Sequence, residues 1–316
     1  MKKPTKEHGK MKPRALLIAA VVSIAVCISC RADEIVRRNI TQSIPAEVIF
    51  CARLDLSATR KAEQAESIVD ATKQQFKKQI DAIGQFSSLD LRDIDCIWVS
   101  VVKDKETLVV LEGRLNTEAI LNSPIVTNSK RLVRPGTIIA IEMKDEKTGE
   151  PSHAVVINES VVAFGLPQLV DNFVINYVSG RSGWSKNGLA VMGSLAASDA
   201  MVLVALMQVR ENEIKQKPFL ATVVNAQLEM NIHEKVTATA RIAMQDEEKA
   251  TALKDLISGF VGLGLTSEIK TDYPDIKKAI LDGLKLGNEG KTVTLSSTID
   301  LELLRKLLRT KGLELN

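Results

Sequence analysis

Two runs of strict alternation, Asn225 to Ile232 and Val236 to Ile242, constrain this chain more than any other feature. Ala226, Leu228, Met230 and Ile232 fall on one side, with Asn225, Gln227, Glu229 and Asn231 on the other. After His233-Glu234-Lys235, Val236, Ala238, Ala240 and Ile242 alternate with Thr237, Thr239 and Arg241. A side-chain period of two belongs to a strand, and two such strands about a short turn make an antiparallel hairpin with one apolar and one wet face. The apolar face must be covered, and helices are the available cover.

The remaining patterns supply both. Val48, Phe50, Ala52, Leu54 and Leu56 read as one face of a strand, and Ser57 is placed to cap the helix that follows. In that helix Ala62, Ala65, Val69, Thr72, Phe76, Ile80 and Ile83 recur every three or four residues. A hairpin of 95–102 and 107–115 follows, with a short helix from Thr117, strands over 137–143, 154–157 and 161–164, and a helix over 166–178. The second half shows a helix over 189–197, a strand over 201–209, the alternating hairpin, helices over 247–263 and 274–286, a strand over 292–299 and a helix over 301–309. The fold class is therefore α+β, predominantly antiparallel sheet with helices packed on one face. Ser179 to Gly183 punctuates the chain, which gives a first unit over 33–179, a linker over 180–188 and a second unit over 189–316, the two able to form one continuous domain. Aligning Cys96 to Ser100 with Leu228 to Ile232 brings the hairpin turns and helix starts of the two units into register, as two tandem repeats of a strand–hairpin–helix–strand–helix unit require.

Residues 1–32 are of another kind. Lys2, Lys3, Lys6, Lys10, Lys12 and Arg14 precede the apolar run Ala15 to Ser29, which at fifteen residues is shorter than the ~20 of a spanning helix and reads as an export signal. Signal peptidase cleavage after Ala32 would begin the mature chain at Asp33. Cys30 after Ser29 and Ile28 also resembles a bacterial lipoprotein signal, with Cys27 where Leu is usual, and makes Cys30 a candidate for lipidation; retention of the segment as an anchor is the third outcome. The signal holds seven of the 42 basic and one of the 39 acidic residues, leaving 35 against 38 and a net charge of −3. A mildly acidic body without a Lys/Arg block has no footprint for nucleic acid.

Catalytic motifs are not expected. Ser267-Glu268-Ile269-Lys270, Ser185-Lys186-Asn187 and Lys147-Thr148-Gly149 resemble the penicillin-binding and β-lactamase set, but in reversed order. No phosphate-binding glycine motif occurs, and Gly180 to Gly183 does not make a nucleophile elbow. His153 and His233 read as exposed residues beside hairpin turns, Asp90, Asp93 and Asp95 as a solvated connection without the glycine and terminal glutamate of a calcium loop. Arg53 and Asp55 read as charges on a wet sheet face. Cys51 and Cys96 are candidates for a disulfide in an oxidising compartment, or buried thiols. With aromatic residues at 3%, the core is aliphatic and stacking platforms are scarce. Gly259, Gly262 and Gly264 read as a helix end with close backbone packing, and 301–309 as a helix capping its own sheet. No cofactor or metal is expected. The sequence favours an exported cell-envelope protein, periplasmic or membrane-associated through its N-terminus, that binds or scaffolds an envelope protein partner. A carrier of a small apolar ligand or lipid and a hydrolase with a dispersed site are the alternatives.

Overall fold

Strands β1 (Phe50–Asp55) and β8 (Val202–Leu206) pair antiparallel at the middle of a single twelve-stranded sheet. The computed structural model describes residues 34–60, 91–102, 106–122, 130–134, 138–144, 151–209, 211–266, 278–279 and 281–303. The other strands are β2 (Ile94–Val101), β3 (Thr107–Gly113), β4 (Lys130–Arg134), β5 (Ile138–Lys144), β6 (Pro151–Asn158), β7 (Val161–Gly165), β9 (Val223–Ile232), β10 (Lys235–Met244), β11 (Lys285–Glu289) and β12 (Thr292–Asp300). The helices are α1 (Glu34–Ser43), α2 (Leu56–Arg60), α3 (Thr117–Leu121), α4 (Pro167–Ser179), α5 (Lys186–Ala197), α6 (Glu211–Gln216) and α7 (Glu247–Thr266). All pairings are antiparallel, and the fold is α+β as the patterns require.

Outward from the central pair, the order is β1-β2-β3-β7-β6-β5-β4 on one side and β8-β9-β10-β12-β11 on the other. One row of laterally paired residues crosses nearly the whole sheet. It runs Ile141, Ala154, Phe164, Val109, Val99, Ala52, Val204, Leu228, Ala240, Leu295, Leu286, apolar at every position. This back face carries one core built from Leu54, Ile97, Leu111, Val162 and Val202 with Leu56 of α2 and Ile120 of α3, and another in which Ala250 and Leu253 of α7 pack on Val293, Ile242 and Leu295. The next row, on the front face, changes character along its length. Ala140, Val155, Ala163, Val110, Trp98 and Leu203 flank Arg53, and beyond Leu203 come Glu229, Thr239, Ser296 and Lys285. The apolar part lies under α1, α4 and α5; Ile40, Phe173, Val174, Met192 and Leu195 from these helices and Ile44, just past α1, enter the largest core.

Helices therefore occupy both faces, not one. The strands of the first half are apolar on both sides and need double cover, whereas the β9–β10 hairpin is apolar on its back alone. The chain is continuous across 180–188: Gly180 ends α4 in the left-handed region (φ 64°), and Ser185 caps α5, which begins three residues before the expected start. Other differences are local. Strand β4 forms where a loop was expected, its exposed Lys130 and Arg131 making a charged edge that discourages pairing with another chain. The helix expected over 274–286 is present at its described residues 278–279 and 281–282 but ends sooner: the chain turns at Gly283, where a Cβ would stand 2.6 Å from the Thr298 carbonyl oxygen, and Lys285–Glu289 is strand β11, with Leu286 opposite Leu295. The expected helix over 62–83, the 1–32 segment with Cys30, the Lys147 and Ser267 fragments, Asp90, and 304–309 lie outside the described residues.

Gly113 closes the junction between β3 and β2. Any Cβ there would fall 2.0 Å from the Asp93 carbonyl oxygen, which already accepts a hydrogen bond from the Arg114 amide at 2.8 Å. Gly113→Ala is expected to lower stability by at least ~2 kcal/mol, read as a reduced urea midpoint, because the obstacle is backbone and cannot rotate away.

Candidate functional site

Arg53 has no exposed surface, although it lies at the centre of the front face. Its guanidinium carbon passes 5.8 Å from the centroid of the Trp98 ring and its nitrogens end among main-chain carbonyls where α5 finishes. Nη1 donates to Leu195 O at 2.5 Å, and Nη2 to Ala200 O at 2.9 Å and to Ser198 O. The last carbonyls of a helix lack partners within it and carry its partial negative charge, so a buried guanidinium both satisfies and neutralises them.

Three further charged groups surround it. Asp55 Oδ1 accepts from the Ala58 amide at 2.7 Å and so caps α2, the role expected of Ser57; Oδ2 accepts from Arg37 Nη2 at 2.8 Å and lies 3.8 Å from Arg53 Nη2. Glu112 Oε2 accepts from Trp98 Nε1 at 2.9 Å, while Oε1 stands 3.6 Å from Arg37 Nε. Two guanidiniums thus face two carboxyl groups in an enclosure where Arg37, at 9%, is the most exposed member. Buried charges persist only when paired in this way.

Burial pushes the Glu112 carboxyl up to about 7, in spite of the Trp98 hydrogen bond and the two arginines. Burial lowers the pKa of Arg53, and the neighbouring Arg37 adds to that, against the pull of Asp55 and Glu112. For Arg37 burial works against the charge, but Asp55 and Glu112 outweigh it and the pKa is raised. Cys96, opposite Asp55, is buried beside both carboxylates and its thiol is held well above the usual range. Cys51 is raised to about 11 by burial, although Ser100 Oγ donates to its sulfur at 3.5 Å. Thiols so protonated are poor nucleophiles. Both cysteines are free. Cys51 lies opposite Ser100 and Cys96 opposite Asp55, four positions apart along the strands, or about 13 Å at 3.3 Å per residue, too far for a disulfide.

Comparison with known proteins identifies no relative. No family model matches the chain, and neither the curated proteins nor the solved structures contain a match.

Several side chains stand elsewhere than the sequence patterns imply. The Arg53 and Asp55 face is not wet, because α1 and α5 cover it. His153 is the third residue of β6 and buried, with Nδ1 3.8 Å from Asp171 Oδ1 of α4; His233 is exposed at the β9–β10 turn as expected. Asp95 is buried against Arg60 at 3.3 Å, and Arg60 also donates to the carbonyls of Arg92 and Ile94, so the acidic run is not a solvated connection at that residue. Among the described residues no group of three metal-ligating side chains converges. Arg37 and Glu112 escaped the sequence reading altogether. Glu112 had a signal: it continues the Leu108, Val110 stripe of β3, an inward position.

Arg53→Met should destabilise the protein by about 3–5 kcal/mol, since it leaves the carbonyls of Leu195, Ser198 and Ala200 without their donor and removes one of the two cations beside Asp55, and Arg53→Lys should recover only part of that because an ammonium lacks the forked reach. Chemical denaturation of both variants measures the difference. Glu112 gives a pH signature. Its folded-state pKa of about 7 exceeds the ordinary 4.5, so the folded chain holds a proton that the unfolded chain releases; the stability this proton contributes is complete below 4.5 and is lost as pH rises to about 7. Relative to Glu112→Gln, the parent should lose stability across that window with a slope of up to ~1.4 kcal/mol per pH unit.

Proposed function

We propose that this chain is an exported protein of the cell envelope, held at a membrane through its N-terminus, and that it acts by binding or scaffolding an envelope partner, not by catalysis. The observation that supports this reading most is the position of α1. The basic and apolar leader ends at Ala32, and by Arg37 the chain is already committed to the interior, with Ile40 and Ile44 fully buried and Arg37 paired to Asp55. The body thus begins immediately after the export signal, and an attachment at Cys30 or in the apolar run would hold it close. The charge cluster supports the non-catalytic half of the proposal. Its carboxyl groups and guanidiniums hold α1, α2 and the end of α5 to the central strands, and all four side chains are buried there. Tandem duplication of the two units belongs to the same proposal, supported by the shared pairing order β1-β2-β3-β7-β6 and β8-β9-β10-β12-β11, which sets Val99 and not Cys96 against Leu228.

Intact-mass measurement on protein taken from its native envelope tests the attachment. A mass beginning at acylated Cys30, or the full-length mass, is expected; a mass beginning at Asp33 would remove the tether and leave a periplasmic protein.

A further inference from the structure

We infer that Asn187 is a site of spontaneous deamidation, a covalent change made by water alone, and that the Ser185 hydroxyl sets its rate. Asn187 is the one asparagine of the chain that glycine follows. Ser185-Lys186-Asn187, which in sequence resembles a fragment of a catalytic set, is in the fold the cap and the first two residues of α5. Asn187 and Ser185 are exposed there, while Trp184 lies half-buried beside the following Gly188. That glycine is fixed by its surroundings, since a Cβ on it would stand 2.6 Å from Cε3 of the Trp184 ring. The chain therefore keeps at this point a residue whose main-chain nitrogen no side chain of its own shields.

In the reaction the Gly188 amide gives up its proton to solvent and its nitrogen attacks Cγ of Asn187. A carbon–nitrogen bond forms, the bond from Cγ to the side-chain nitrogen breaks, and that nitrogen leaves as ammonia with a proton taken back from solvent. Water then opens the cyclic imide at either carbonyl, to aspartate or to isoaspartate, and no oxidant or reductant takes part. Asparagine is thermolabile by this route. Position in the helix decides how freely the nitrogen can react. Gly188 is the third residue of α5, where amides have no partner within the helix. Its proton goes instead to Ser185 Oγ at 3.2 Å, a longer contact than the main-chain bond of the next residue, from Leu189 N to Ser185 O at 2.9 Å. One hydroxyl thus holds both the proton that must leave and the first-turn geometry that keeps the nitrogen away from Cγ. Isoaspartate would add a carbon to the main chain just ahead of Val191 and Met192, which α5 buries in the largest core.

The test incubates the folded full chain in heavy-oxygen water at mildly alkaline pH and follows amide-to-acid conversion at each asparagine by peptide mass spectrometry. Asn288, exposed on β11 and followed by Glu289, is the internal reference, and the same chain unfolded in urea gives the unrestrained rate. Conversion at 187, with label incorporated, is expected to run several-fold faster than at 288 in the folded chain. Conversion no faster than at 288 overturns the site. Ser185→Ala is expected to raise the rate at 187 several-fold toward the urea value with 288 unchanged, and Ser185→Thr, which keeps a hydroxyl acceptor, to stay at the parent rate. A rise at both positions alike, at neither, or equally in the Ser185→Thr chain overturns control by the cap.

Discussion

The guanidinium of Arg53 is the contact on which the rest of the fold depends. It sits on the central strand, and it is the point where the first half of the sheet is joined to the helix and the chain segment that lead into β8. A carbonyl cluster at a helix end needs donors, and a buried cation needs negative partners; each requirement answers the other here. Asp55, Arg37 and Glu112 extend the arrangement, so that α1, α2 and α5 are all referred to one strand. The fold is held by polar geometry at a place where an aliphatic core alone would let helices slide.

The two sides of the sheet differ in what they ask of their surroundings. On the back, one apolar row continues from Ile141 to Leu286, and cover is needed across its whole width. On the front, apolar residues stop after Leu203, and from Glu229 onward amide, hydroxyl and charged side chains face solvent; Arg241 pairs with Glu229 at 2.9 Å across that face. The first half is thus enclosed and the second half half-open, although the strands pair in the same order outward from β1 and β8. The asymmetry is written in residue types, since a strand with Thr and Gln on one side cannot bury that side without partners for each.

Much of this was legible in the residues. The alternation of 225–242 predicts the β9–β10 hairpin, and the register Leu228 with Ala240 keeps every apolar side chain on the back. The stripe in 166–178 predicts α4 to within a residue, because Pro167 opens it and Gly180 closes it. The cluster was less visible. Arg53 and Asp55 look the same on a covered face as on a wet one, since strand periodicity says which residues share a side and nothing about what lies above them. Of the two readings of Cys51 and Cys96, buried thiols hold and the bridge does not, for a related reason: both residues are on one face, but register between β1 and β2 sets them four positions apart.

The sequence by itself determined most of the element types, the residues that share a side of each strand and the basic, apolar leader, because these follow from periodicity and local turn chemistry; β4 and β11, short and without clear alternation, escaped it. Only the tertiary structure decided that β1 and β8 meet, that helices divide between the two faces, and that four charges from α1, β1 and β3 share one enclosure. Those outcomes depend on contacts between residues such as Phe50 and Leu206, 156 positions apart, or Arg53 and Ala200, 147 apart, and no local pattern encodes which distant segment will supply the partner.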